Sequence, residues 1–181
     1  MTIGDVIYRA RNSSFNMANY SVNISIYDFV GQIKLHTHYR TDVVDSMWIG
    51  YVTPEFQRAN NKWSEKMQVK FIENLLSGVK TELLFFILND CDEAKVIDGL
   101  QRCTAIMAFI SGKIKAFGYY YHEYGDLIKH FRTSIAIRIY DFCEWDQVGC
   151  FYVEMNENIT HSKEDIQKAK DWFNKKHGII L

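Results

Sequence analysis

Val96-Ile97-Asp98-Gly99-Leu100-Gln101-Arg102 is the stretch that decides the fold, because it joins a strand to a helix through a glycine. Residues 95–97 have the character of a short strand. The apolar residues that follow Arg102 recur at the three- and four-residue spacing of a helix until Gly112, namely Cys103, Ile106, Met107, Phe109 and Ile110. The stretch therefore predicts a strand, a tight turn and a helix within an α+β domain.

The same turn has the features of a phosphate site. The first amides of a helix have no internal acceptors and lie at its positive end, and glycine lets an anion approach the backbone closely. Gln101 and Arg102 lie three and four positions after Asp98, so we expect all three side chains to project from one side of the first turn. Leu100 points roughly the opposite way, toward the core.

The three polar side chains suit phosphate chemistry for separate reasons. Arg102 can hold phosphate oxygens in a bidentate fork, Asp98 can bind Mg²⁺ or take a proton from a nucleophile, and Gln101 can orient water or a base. The alternative is purely structural. In it, Asp98 caps the helix and forms a surface ion pair with Arg102, worth about 0.3–0.5 kcal/mol. Spacing alone supports both interpretations equally.

Outward from this turn, helix and strand patterns continue in both directions. From Ser64 an amphipathic helix is predicted up to Gly78, and Leu83 to Leu88 predicts a strand that is covered on both faces. Further upstream, Trp48 to Val52 is interpreted as a short strand ended by Pro54, and residues 22–33 fit either a strand or a short helix. Downstream we expect a half-buried strand over 134–140, a helix over 144–154, and a final helix capped by Ser162 and Asp165.

Length and composition favour one ordinary domain. The chain has 181 residues, 48% of them hydrophobic, with a single proline and no Gly/Ser-rich linker. We therefore expect an irregular arm over residues 1–20 and one domain over 21–181. Aromatic residues make up 15% of the chain, a surplus that can serve a core, a base-stacking surface or a protein interface.

Charge and cysteine usage indicate the compartment rather than the ligand. A formal net charge of −1 gives no overall attraction to nucleic acid, so a DNA contact would need a local basic patch. Four cysteines without a C-x-x-C pair suggest reduced thiols in the cytoplasm. The sequence shows neither a targeting segment nor an apolar run long enough to span a membrane, so no membrane association is expected.

A second candidate region lies in the loop after Pro54. Phe56-Gln57-Arg58 brings an arginine that can contact phosphate, although a solvated loop arginine is the simpler interpretation. Trp63, which follows, can stack on a base or anchor the core.

Taken in order, these motifs resemble the N-terminal domain of GmrSD-type restriction proteins, within the wider ParB/sulfiredoxin-like superfamily. The resemblance rests on Phe56-Gln57-Arg58, on Trp63, on the helix ending at residues 71–78, on residues 97–106, and on Phe151-Tyr152-Val153-Glu154-Met155-Asn156. It covers roughly residues 22 to 175. It implies a ParB/sulfiredoxin-like fold, with a small mixed sheet and flanking helices in a single domain.

The resemblance also implies roles for particular residues. In that family the D-G-Q-Q-R motif is linked to nucleotide binding and hydrolysis, so Asp98, Gly99, Gln101 and Arg102 would inherit these roles. Gln57, Arg58 and Asn156 would line the same pocket. Leu100 departs from the motif, because it replaces the first glutamine and removes a polar group. The family domain usually precedes a nuclease domain in proteins that restrict modified phage DNA. None follows Leu181, so we expect that this chain does not perform a full restriction cycle by itself.

Three functions follow as expectations. The first is metal-assisted binding or hydrolysis of a nucleoside triphosphate of unknown base, with Asp98 as the Mg²⁺ ligand, in restriction, phage defence or counter-defence. The second keeps the fold but makes the protein a phosphotransferase or a DNA nuclease. The third is a non-catalytic module that binds DNA or a restriction or nuclease partner protein, and Leu100 favours it.

Overall fold

The computed structural model describes residues 20–32, 46–88, 93–157 and 161–181. The strands are β1 (Tyr20–Ile24), β2 (Thr81–Leu88), β3 (Lys95–Asp98) and β4 (Ile135–Phe142). The α-helices are α1 (Ser46–Val52), α2 (Glu65–Leu76), α3 (Leu100–Ile110), α4 (Trp145–Asn156) and α5 (Lys163–His177), and a 3₁₀ segment covers Tyr121–His130. This mixture confirms the α+β class.

The four strands form one mixed sheet in the order β1-β4-β2-β3. β2 runs parallel to β4 and antiparallel to β3, and β1 is antiparallel to β4. The side chains of β2 alternate between two cores. Leu83 and Phe85 belong to one hydrophobic cluster, and Leu84 and Phe86 belong to the other. The prediction that this strand is covered on both faces is therefore confirmed.

Each face of the sheet has its own set of helices. The larger cluster includes Trp48 of α1, Ile72 of α2 and Ile106 of α3. The smaller cluster joins the sheet to α4 and α5, with Phe151 and Phe173 fully buried. This second core is rich in aromatic rings, so it absorbs part of the aromatic surplus of the sequence.

One predicted element is wrong. Residues 48–52 belong to helix α1 and not to the short strand that the sequence predicts. Trp48, Ile49 and Val52 are 0%, 8% and 0% exposed, and their spacing places them on one face of a helix. A five-residue apolar run fits either structure, and tertiary packing decides between them. Pro54 lies just beyond the end of the helix, where its missing amide proton does no harm.

The remaining predictions hold where they can be compared. Residues 22–33 contain both alternatives, since β1 is followed by a helical turn over 29–32. The Ser64 side chain accepts a hydrogen bond from the Met67 amide at 3.4 Å, and this cap starts α2. The predicted arm falls almost wholly outside the described residues, and its last residue, Tyr20, begins β1.

Candidate functional site

The turn between β3 and α3 requires glycine. Gly99 has φ +96°, in the left-handed region, and is the N-cap residue of α3. A Cβ atom at this position would lie 2.8 Å from the Leu83 Cδ2 atom in the core. The N-cap is thus Gly99, and the alternative in which Asp98 caps the helix is wrong. Because glycine has no side-chain oxygen, it cannot satisfy the first amides of α3 as Ser or Asp would.

Asp98 and Arg102 form the ion pair that the spacing allows. Arg102 Nη2 donates to Asp98 Oδ2 at 2.6 Å, and both side chains are 26% exposed. Such a partly exposed pair, here between the end of β3 and the first turn of α3, adds only roughly 0.2–1 kcal/mol. It is therefore weak enough to be exchanged for a stronger anionic partner of the guanidinium.

Gln101 turns toward the loop that precedes α2, and does not stand beside Asp98. Its Oε1 accepts from the Trp63 amide at 3.1 Å, and its Nε2 donates to the Asn60 Oδ1 at 3.1 Å and to the Ala59 carbonyl at 3.5 Å. The side chain is 5% exposed. The Thr104 hydroxyl donates to the same Asn60 oxygen at 2.9 Å. Helix α3 thereby fixes the far end of the loop.

Gln57 fixes the near end of the same loop. Its Nε2 donates to the carbonyls of Ile97 at 3.2 Å and Val96 at 3.4 Å, and its Oε1 accepts from the Tyr152 hydroxyl at 3.1 Å. Burial raises the pKa of Tyr152, so its hydroxyl keeps its proton and remains a donor. The two glutamines hold residues 57–63 across the end of β3, and Arg58 lies between their contacts.

The loop and the turn enclose a cleft of about 540 Å³. Its lining residues are Gln57, Arg58, Lys62, Trp63, Met67, Asp98, Gly99, Leu100, Gln101, Arg102 and His161. The structure therefore brings together six of the seven predicted site residues. The seventh, Asn156, does not line the cleft. It is 1% exposed, and its Nδ2 donates to the Tyr152 carbonyl at 2.8 Å.

Positive charges outnumber negative charges among the residues that line the cleft. Arg58, Lys62 and Arg102 contribute three positive charges, against one negative charge from Asp98. Lys62 also lies 3.3 Å from the Asp165 carboxylate, at the start of α5. The Ser162 hydroxyl accepts from the Asp165 amide at 3.2 Å, so the predicted cap forms while the Asp165 carboxylate contacts the lysine. An excess of positive charge beside a helix N-terminus suits an anionic ligand.

His161 and Lys62 are the polar cleft residues that sequence reasoning missed. Burial, with a contribution from Arg58, lowers the pKa of His161 to about 4, so the imidazole is neutral at pH 7. The one signal available in the sequence was the position of His161 directly before the Ser162 cap. That signal does not reveal that the turn between α4 and α5 returns to the end of β3.

Asp98 is the only carboxylate among the lining residues that the structure describes. Within the described ranges, no group of three or more His, Cys, Asp or Glu side chains is placed to hold a metal ion. Mg²⁺ in nucleotide sites is commonly held by one or two carboxylates together with phosphate oxygens and water. The cleft thus fits a Mg²⁺ ion that arrives with phosphate, and does not fit a cage made of protein ligands alone.

No helix in the described part of the chain has the length and apolar character needed to cross a membrane.

Comparison with known protein families gives one result. The family model described as the GmrSD restriction endonuclease, N-terminal domain, matches residues 41–179. No curated protein and no solved structure gives a significant match. The ParB/sulfiredoxin-like superfamily assignment therefore stays a prediction, while the matched range contains every residue of the cleft.

Proposed function

The chain belongs to the family of GmrSD restriction endonuclease N-terminal domains, which associates it with DNA restriction, and from that premise we propose that its cleft binds the phosphates of a nucleoside triphosphate. The observation that carries the proposal is the convergence of Arg58 and Arg102 at the N-terminus of α3. These two residues come from segments more than forty positions apart, and a phosphate chain is the kind of ligand that two guanidinium forks and a helix N-terminus bind together.

Arg58 and Arg102 would contact the phosphates directly. Arg102 now donates to Asp98 at 2.6 Å, and an incoming phosphate, with more charge and more acceptor oxygens, competes for the same guanidinium. The exchange would release the Asp98 carboxylate. Phosphate binding and the availability of Asp98 are thereby coupled through a single ion pair.

Asp98 would then be the protein ligand of a Mg²⁺ ion bound with the triphosphate. When bound, Mg²⁺ would neutralise charge on the phosphates and polarise them toward attack. Asp98 would also accept a proton from an attacking water. Both roles depend on its release from Arg102.

Gln57 and Gln101 would act as positioning residues. Their hydrogen-bonding groups are engaged with β3, Tyr152 and the 59–63 segment, so they hold the loop that carries Arg58 and Lys62. This differs from the role in orienting water or a base that was expected for Gln101. Leu100, 4% exposed, packs in the core behind the turn.

Thermal stability in the presence of ligands tests the proposal. The melting temperature is measured with ATP, GTP, CTP and UTP, each with and without Mg²⁺, because a ligand that prefers the folded state raises it. We expect at least one triphosphate to stabilise the protein and Arg58→Gln to abolish most of the shift. Arg132→Gln is the matched control, since Arg132 is exposed and does not line the cleft. Equal shifts in both variants would refute the role of Arg58.

A second candidate, a module that binds nucleotide without turnover, is favoured by one observation. The single carboxylate among the described lining residues is already engaged by Arg102. Phosphate release is measured for the unmodified protein and for Asp98→Asn under conditions where both bind nucleotide. Release that disappears in Asp98→Asn supports hydrolysis, whereas binding without release supports the module. Transfer of labelled phosphate or cutting of plasmid DNA in the same samples would indicate the phosphotransferase or nuclease alternatives.

A further inference from the structure

A second cavity, of about 440 Å³, lies at the opposite end of β3 from the phosphate cleft. Lys95, the first residue of β3, lines this cavity, whereas Asp98, the last, lines the cleft. Residues 53–55 line the cavity, and Gln57 and Arg58 of the same loop line the cleft. At about 3.3 Å per residue, the two ends of β3 are roughly 10 Å apart. We call this second site the aromatic cavity.

Aromatic rings from three elements form its walls. Trp145 begins α4, Trp172 lies on α5, and Phe86 lies on β2. The two indoles meet at an interplanar angle of 65° with ring centroids 5.7 Å apart. His177 stacks on Trp145 at 4.6 Å. Small-molecule pockets have this character and size, with aromatic walls and a few polar groups that set orientation.

Acidic and basic groups alternate among the cavity residues. Glu55 lies 3.8 Å from Lys176 and accepts from the Trp172 indole nitrogen at 3.1 Å. Glu93 lies 3.3 Å from Lys95. The formal charges of these four residues cancel, and each carboxylate already has a lysine beside it. Because each carboxylate is paired with a lysine, the cavity offers a cation no uncompensated negative charge, and it fits an uncharged ring better.

We infer that the aromatic cavity binds a nucleobase. Every base has flat faces that stack on indole, and its edge presents both donors and acceptors, which the carboxylates and ammonium groups of the cavity can pair with. The assignment of this ring to a nucleotide rests on the phosphate cleft proposed above. The two sites share one loop and one strand, so one ligand can reach both. The ring then belongs to a free nucleotide or to an unpaired base of a strand.

Tryptophan fluorescence reports on this cavity directly. Of the four tryptophans, Trp48 is buried and Trp63 lines the phosphate cleft. In a Trp63→Phe background, emission that changes with ligand therefore comes chiefly from Trp145 and Trp172. Adenosine, guanosine, cytidine and thymidine are titrated as probes without phosphate. Tripolyphosphate is titrated as a probe without a base, and a short single-stranded oligonucleotide as a probe with both.

We expect saturable quenching by at least one nucleoside. In Trp172→Leu its affinity should fall by about tenfold or more, since base stacking is lost. Trp172 also packs on Phe173, so a second variant guards against a folding defect. Lys176 is 59% exposed on its side chain, and Lys176→Gln should weaken nucleoside binding without lowering the melting temperature. Arg132→Gln is the matched control, which should leave nucleoside quenching unchanged, since Arg132 is exposed and lines neither site.

The outcomes separate this site from the phosphate cleft. Stabilisation by tripolyphosphate without quenching by any nucleoside overturns the nucleobase assignment and leaves the proposed function intact. Nucleoside quenching without a response to tripolyphosphate overturns the proposed phosphate site and leaves the nucleobase assignment intact. Stronger quenching by choline than by nucleosides also overturns the assignment, in favour of a cation. When nucleosides bind, tighter binding of the oligonucleotide than of the corresponding nucleoside triphosphate identifies a strand as the source of the base, and tighter binding of the triphosphate identifies a free nucleotide.

Discussion

Replacing Gly99 by alanine tests the geometry of the phosphate turn most sharply. The backbone at Gly99 has φ +96°, a conformation that costs an L-residue about 1–2 kcal/mol. The new methyl group would also lie 2.8 Å from the Leu83 Cδ2 atom, and Leu83 is fully buried, so the core must shift. Overpacking of this kind costs about 1–3 kcal/mol. We expect Gly99→Ala to lower the free energy of unfolding by about 2–5 kcal/mol.

Urea denaturation followed by circular dichroism measures this loss, and Gly118→Ala supplies the matched control. Gly118 has φ +88°, nearly the same backbone conformation, but no atom lies within 4 Å of the position of an added Cβ. Its variant should lose only the backbone contribution of about 1–2 kcal/mol. The difference between the two variants isolates the contact with Leu83. Equal losses in the two variants would show that the turn does not press against the core as described.

Three further predictions concern the loop and the cleft. Gln101→Leu leaves the Trp63 amide without its acceptor and should lower the free energy of unfolding, measured by denaturation, by about 1–3 kcal/mol. It should also weaken triphosphate binding measured by calorimetry, and unchanged affinity would contradict the positioning role of Gln101. Tyr152→Phe removes the hydrogen bond to Gln57 and should cost about 1 kcal/mol in the same denaturation assay, and no loss would contradict that contact. Burial lowers the pKa of His161 from its ordinary value of about 6.5 to about 4 on folding, so the folded protein binds fewer protons between these values and loses stability as the pH drops through this window. Across this window the unmodified protein should lose on the order of 2 kcal/mol more free energy of unfolding than His161→Leu, after allowance for solvent screening. Parallel pH profiles of the melting temperature for the two proteins would contradict this.

Local sequence patterns predicted the elements that have a full period or a clear cap. Helix α2 carries three turns of apolar spacing and the Ser64 cap, and the continuous apolar run from Leu83 to Leu88 predicted a strand with two covered faces. The prediction for α1 was wrong because a helix of seven residues has too few turns for a helical spacing of apolar residues to be recognised. Its burial against the first core decides its structure, and that packing is a tertiary effect.

The sequence predicted some charged groups of the candidate site, but neither Lys62 nor the supporting contacts. The spacing of Asp98 and Arg102 allowed their ion pair, and Gln57 and Arg58, which the resemblance assigned to the same pocket, line the cleft with them. The hydrogen bonds of Gln101 span 38 to 42 positions in sequence, and nothing local specifies them. His161 enters the cleft only because α4 and α5 fold back on the sheet.

A crystal structure with a non-hydrolysable nucleoside triphosphate and Mg²⁺ tests the central claim most directly. The cleft predicts phosphate oxygens within hydrogen-bonding distance of the Arg58 and Arg102 guanidinium groups, beside the Gly99 turn, with the Asp98–Arg102 contact of 2.6 Å lengthened or broken. Phosphates bound at another surface, with the Asp98–Arg102 pair intact and Arg58 in contact with protein alone, would contradict it.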